Sequence, residues 1–268
     1  MVMPKLTQAL RNEYEQLFAS CQVRPERRVA VERLAGKLVA DRARYAAVGD
    51  PLGIPWYVVA AIHNLEAGLS FRAHLHNGDP LSARTVHVPR GRPVDGAPPF
   101  TWEDSARDAL RYDGMDGIAD WSLAATLYRL EGYNGWGYRK QHPEVLSPYL
   151  WSYSNHYERG KYVADGKWSA SAVSDQCGAA TLLRRLAEMR EIDFPPRPDE
   201  VAPVPQPVPY AERKPRDPAA VARAVALQQW LNTHPGLYVR VDGVAGPRTS
   251  DAYRRLTGAY LPGDPRGG

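Results

Sequence analysis

The sequence predicts a mainly α-helical protein, on three observations. Apolar residues recur at three- and four-residue intervals through most of its segments, alternation of the strand type is confined to one short run, and a proline-rich stretch divides a long N-terminal part from a short C-terminal one. A chain of 268 residues has room for one sizeable core and a smaller module.

Leu6, Leu10, Tyr14 and Leu17 predict a first amphipathic helix, and Val31, Leu34, Leu38 and Tyr45 a second after the Pro/Arg break at 25–28. The segment 54–78, IPWYVVAAIHNLEAGLSFRAHLHNG, is the one around which the rest is organised. Pro55 suits a first helical turn, Val58, Ile62 and Leu65 share a face, and Gly68 supplies a stop. Glu66 lies four residues after Ile62, so its carboxyl sits among apolar side chains near the negative end of the helix. Both surroundings disfavour its charged form, and a raised pKa is what a general acid working near neutral pH requires. A plain helix-end pairing would use the same residue.

From Ser70 to Pro99 runs an irregular stretch rich in His, Gly, Pro and Arg, in which Thr85, Val86, His87 and Val88 alternate and predict a small hairpin or folded loop walling a cleft. Thr101 with Asp104 makes a capping box for a helix to about Tyr112. Asp120 is the expected N-cap of a helix with Leu123, Leu127 and Leu130 inward and Gly132 at its end. That helix delivers GYNGWGYR, where Tyr133, Asn134, Trp136, Tyr138 and Arg139 set aromatic rings beside amide and guanidinium groups, as a carbohydrate cleft does. Core and turn residues would give the same string. A last helix over 175–190 carries Leu183, Leu186 and Met189.

Residues 194–218 read as a proline-rich linker, and 219–268 as a separate module of two or three short helices. Cys21 and Cys177, both in apparently helical segments, are either two buried thiols or one disulfide.

The 34 Lys and Arg against 30 Asp and Glu leave a formal charge of +4 with no basic tract, which fits an anionic polymer better than nucleic acid. His63 and Glu66, with His74, His76 and Asp79, lack the HExxH or HxxEH spacing of helical zinc hydrolases, so no metal is expected; no phosphate-binding glycine loop or nucleophile elbow implies a cofactor either. No apolar run could span a bilayer, and MVMPKLTQALRNEYEQ has no signal-peptide core.

Two stretches carry resemblances. Leu227, Gln228 and Leu231, followed by Asp242-Gly243-Val244-Ala245-Gly246 and Thr249, resemble the small three-helix peptidoglycan-binding domain of bacterial and phage cell-wall enzymes, although Arg255-Leu256 replaces its usual aromatic-Gln ending. The helical Glu66 and the later Tyr133-Asn134-Gly135 resemble the lysozyme superfamily, in its goose-type lysozyme and lytic transglycosylase branch; HNGDP and YNGWGYR are similar to segments of phage-associated members. Ala67 stands where that branch usually has Ser, and the Gly-Leu-Met-Gln signature is absent.

The resemblance implies a lysozyme-like catalytic domain over 1–193 that acts as an endolysin-type glycosidase on bacterial peptidoglycan. Glu66 would be the acid, Asp79 the candidate for holding water unless it only shapes the Asn77–Pro80 turn, and Tyr133 and Asn134 would line the site. His63, His76, Trp136, Tyr138 and Arg139 complete the expected substrate-binding set, with Arg84, Arg90 or Arg92 able to meet peptide carboxylates. Muramidase, lytic transglycosylase and an inactive wall-binding protein are the readings to separate. A monomer made in the cytoplasm and delivered to the wall by lysis or a dedicated route is expected.

Overall fold

The computed structural model describes residues 4–164, 166–197, 207–232, 234 and 237–267. The chain divides into two compact units, Met1–Pro198 and Asp199–Gly268. Helices dominate both, and among the described residues the first has a single sheet, of two antiparallel strands.

The first unit is built on α4 (Trp56–Ala67), in which every residue from Trp56 to Leu65 is buried. A helix apolar on all sides has to be central. It packs against α3 (Arg42–Gly49), α6 (Leu123–Tyr133) and α9 (Ala179–Glu188). Val58, Val59 and Ile62 are wholly enclosed, each contributing about 1.5–3 kcal/mol over an exposed position. Around these, α1 (Gln8–Ala19) packs on α6 and α9, α2 (Arg28–Ala40) on α3 and α9, α5 (Trp102–Tyr112) on α3, and α8 (Pro148–Trp151) on α6 and α9, with the short α7 (Gly137–Gln141) following α6. Gly68 ends α4 in the left-handed conformation at φ 55°, its N–H returning to the His63 carbonyl.

The capping box forms as expected: Thr101 Oγ1 accepts from the Asp104 N–H at 3.1 Å and donates to Asp104 Oδ2 at 2.6 Å. Asp120 is displaced from its expected role. Ser122 is the N-cap residue of α6, and Asp120 instead accepts from the Ser122 N–H and hydroxyl while pairing with Arg11. The helix runs through Gly132 to Tyr133. Cys21 and Cys177 lie just outside α1 and α9 rather than within helices, and both are buried free thiols.

Of the two alternatives at 85–88, the structure has the folded loop and not the hairpin. Val86 and Val88 are exposed, and that run is an irregular loop. The paired strands are β1 (Lys161–Ala164) and β2 (Lys167–Ser169), antiparallel with a register irregularity between Tyr162 and Ala164. Alternation over four residues carries too little information to outweigh a loop stapled by side chains.

The second unit contains two helices among the described residues, α10 (Pro218–Asn232) and α11 (Pro247–Thr257), within the two or three expected. The expected 194–218 linker is packed at both ends. Phe194 meets Phe18 and Tyr57 edge-on in the first unit, whereas Val208 is 4 % exposed in the second unit's core and the Tyr210 N–H bonds the Pro262 carbonyl. Its middle, 198–206, lies outside the described residues. Gln228 organises the Asp-Gly loop: its Nε2 donates to Asp242 Oδ1, Val244 O and Thr249 Oγ1, and its Oε1 accepts from the N–H groups of Asp242 and Gly243. Gly243 is required there, since at φ 76° a Cβ would lie 2.7 Å from the Val221 side chain.

Candidate functional site

The last turn of α4 leaves carbonyls without intrahelical partners. Gln176 Nε2 donates to the Leu65 carbonyl at 2.7 Å, and Asn64 Nδ2 donates to the Cys177 carbonyl, so the segment before α9 clamps this end of the helix. Gly78, at φ 79°, lets the following loop approach the Glu66 carbonyl, which a Cβ there would meet at 3.2 Å. Glu66 emerges from this clamp half-buried.

Tyr149 on α8 donates its hydroxyl to Glu66 Oε1 at 2.9 Å. Burial lifts the Glu66 carboxyl from 4.5 to about 7; the Tyr149 hydrogen bond pulls it down, and the negative charge of Asp113 adds to the rise. Asp113 caps the C-terminus of α5. Its residue surface is open to solvent, yet its own carboxyl is raised by burial, against Tyr133 and Arg92. Tyr133, the last residue of α6, stands between the two acids in electrostatic terms: after burial, Asp113 and then Glu66 hold its hydroxyl un-ionised, and that buried hydroxyl is close enough to Asp113 to pull the Asp113 carboxyl down. Four elements thus deliver two carboxyls and two neutral phenols. Such a group can give a proton near neutral pH and keep a second, more exposed carboxyl beside it.

Of the residues expected from sequence, Glu66 and Tyr133 come together here. Asn134, exposed, opens instead on a neighbouring groove of about 400 Å³ with Gly137, Tyr138, Tyr162, Val163 and Gly166. Tyr138 is nearly covered, packed edge-on against Tyr162 and Trp168.

The remaining expected residues serve the scaffold. His63 has no exposed surface, contacts Tyr45, Phe71 and Trp102, and is pushed down to about 4 by burial. His76 bonds Asp108 at 2.8 Å with its side chain wholly covered. Trp136 is buried against Tyr128. Arg139 pairs with the buried Glu131 and with Glu13, both at 2.9 Å.

Asp79 is also occupied. Oδ2 accepts from the N–H groups of Val86 and His87 at 2.8 and 3.0 Å, and Oδ1 meets His87 Nδ1 at 2.6 Å. Burial raises its pKa, but the contacts with His87 and Val86 outweigh it and bring the carboxyl to about 2. It shapes the loop, and Asp113 is the acid whose charge acts on Glu66.

Among the described residues no group of three or more His, Cys, Asp or Glu could hold a metal ion. Nor is any single helix long and apolar enough to cross a membrane. Tyr149 and Asp113 escaped the sequence reading because neither lies at a motif spacing from Glu66; the nearest signal was the aromatic run SPYLWSY around Tyr149. No family model matches the chain, and no curated protein and no solved structure matches it significantly.

Proposed function

We propose that this protein is a peptidoglycan muramidase, cleaving the MurNAc-GlcNAc bond with Glu66 as general acid. The observation that carries the reading is a half-buried carboxyl at the end of the central helix, held protonated to about pH 7 and oriented by the Tyr149 hydroxyl. Glu66 gives its proton to the leaving glycosidic oxygen while positive charge develops at the sugar carbon. Asp113, more exposed and close enough for its charge to reach Glu66, takes the role of holding the attacking water. Tyr133 and the exposed Asn134 amide line the sugar and its N-acetyl group. The second unit supplies attachment to the wall, as its resemblance implies.

Mass spectrometry of soluble products from purified peptidoglycan tests this, with wild type, Glu66→Gln and Asp113→Asn side by side. Ordinary reducing ends, lost in Glu66→Gln and strongly reduced in Asp113→Asn, are expected. Products lighter by one water and insensitive to Asp113→Asn would mean a lytic transglycosylase, in which the substrate's own hydroxyl attacks. No wild-type product would leave a wall-binding protein.

A further inference from the structure

The second unit, residues 199–268, holds nine Arg and Lys against seven Asp and Glu, a net of +2 out of the formal +4 of the whole protein. A groove of about 410 Å³ opens on this unit, with the Gln228, Asp242 and Thr249 network as its floor. Arg240 and Arg248 stand exposed on its rim. Neither makes an ion pair or a hydrogen bond among the described residues, unlike Arg223, Arg254 and Arg266 of the same unit, which meet Asp217, Tyr260 and Asp264. Glu212 lies on the same rim, one carboxylate oxygen accepting from Tyr210. Asp242, the other acid in the lining, is turned to the floor: its Oδ1 accepts from Gln228 and from the Val244 N–H, and these bonds, with help from Arg240, lower its pKa.

We propose that this groove binds the peptide part of the wall polymer, with Arg240 and Arg248 holding peptide carboxylates and Glu212 meeting a free side-chain amine. The inference rests on the peptidoglycan reading for its choice of ligand. Arginine suits this task because its planar fork can take a carboxylate through two parallel hydrogen bonds. A peptide carrying carboxylates and one ammonium group matches a rim with two guanidinium groups free of hydrogen bonds and one acid. The glycan of a peptide-bearing strand, whose lactyl carboxyl is tied up in the amide to the peptide, is neutral and gives such a rim little to hold.

The test uses the full chain with Glu66→Gln, so that nothing is digested, and isothermal titration with the synthetic tetrapeptide Ala-γ-D-Glu-Lys-D-Ala, in free-carboxylate and carboxamide forms. Arg240→Gln and Arg248→Gln should each weaken the free-carboxylate peptide by about tenfold, and the carboxamide peptide should lose a similar factor against the unchanged groove. Arg223→Gln, elsewhere on the same unit, should change nothing, and unchanged thermal unfolding of the variants confirms that the unit is folded. Equal affinity for the two peptide forms, insensitivity to both arginine substitutions, or no peptide binding would overturn the proposal. A glycan-cleavage assay on the same arginine variants in an otherwise wild-type chain separates the two readings. Loss of peptide binding with intact cleavage of soluble fragments supports the groove, and absence of any cleavage by wild type condemns the muramidase reading without touching the titration.

Discussion

Tyr149 and Glu66, 83 positions apart in sequence, meet through a 2.9 Å hydrogen bond from the phenol to the carboxylate, and this bond opposes the burial that otherwise raises the acid. Removing it with Tyr149→Phe is therefore expected to move the Glu66 pKa above about 7. Asp113→Asn removes a repelling charge and should move it down. Carbon-13 NMR titration of the glutamate carboxyls measures both, and shifts in the opposite senses would contradict the electrostatic account of the site.

The raised acid also leaves a mark on stability. Between pH 4.5 and about 7 the folded chain holds on Glu66 a proton that the unfolded chain has released. The folded state binds more protons there, so stability falls as pH rises through that window. Urea midpoints collected across it should decline less steeply for Glu66→Gln than for wild type.

Asp79 has the reverse sign. Its folded pKa of about 2 lies below the ordinary 3.8, so its contribution is present above pH 3.8 and is lost as pH falls through about 2. Asp79→Asn is expected to speed hydrogen exchange at the Val86 and His87 amides, which donate to its carboxylate. Cleavage should survive in part, because the lost group shapes a loop. Total loss of activity with unchanged exchange would return Asp79 to the reaction itself.

Arg139 is predicted to matter for folding before it matters for substrate. Glu131 is 3 % exposed, accepts from Tyr14 at 2.6 Å and is charge-paired by Arg139; burial raises its pKa even against both partners. Arg139→Met strands that carboxyl, and urea unfolding should show a loss of about 3 kcal/mol. Replacing both partners, as Arg139→Met with Glu131→Leu, should recover much of it.

The boundary of the second unit gives a simple truncation test. A fragment from residue 207 keeps Val208 in the core and the Tyr210 N–H on Pro262. One starting at 219 loses both, together with Asp217, whose carboxylate accepts from the Ala219 and Ala220 N–H groups at the start of α10. Circular dichroism melting should show a cooperative transition for the longer fragment and a weaker or absent one for the shorter.

Local chemistry was enough for the sequence to determine most helices, the capping box at Thr101, the division into two units and the burial of Glu66, because periodicity, capping and proline content act over a few residues. It also brought Gln228, Asp242 and Gly243 to notice as a motif, whose reason is the hydrogen-bonded loop they build. What only the tertiary structure decided is which polar residues share a site. The strings HLHNGDP and GYNGWGYR mix residues of opposite fates: His76, Trp136 and Arg139 turn inward to Asp108, Tyr128 and Glu131, while Tyr133 faces Asp113 and Glu66 and Asn134 lies open to solvent. Asp113 and Tyr149 join Glu66 from helices 47 and 83 residues further along. A carboxyl's pKa and its neighbours depend on distances through space, and those are set by how α4, α5, α6 and α8 pack, which no short-range pattern in the chain encodes.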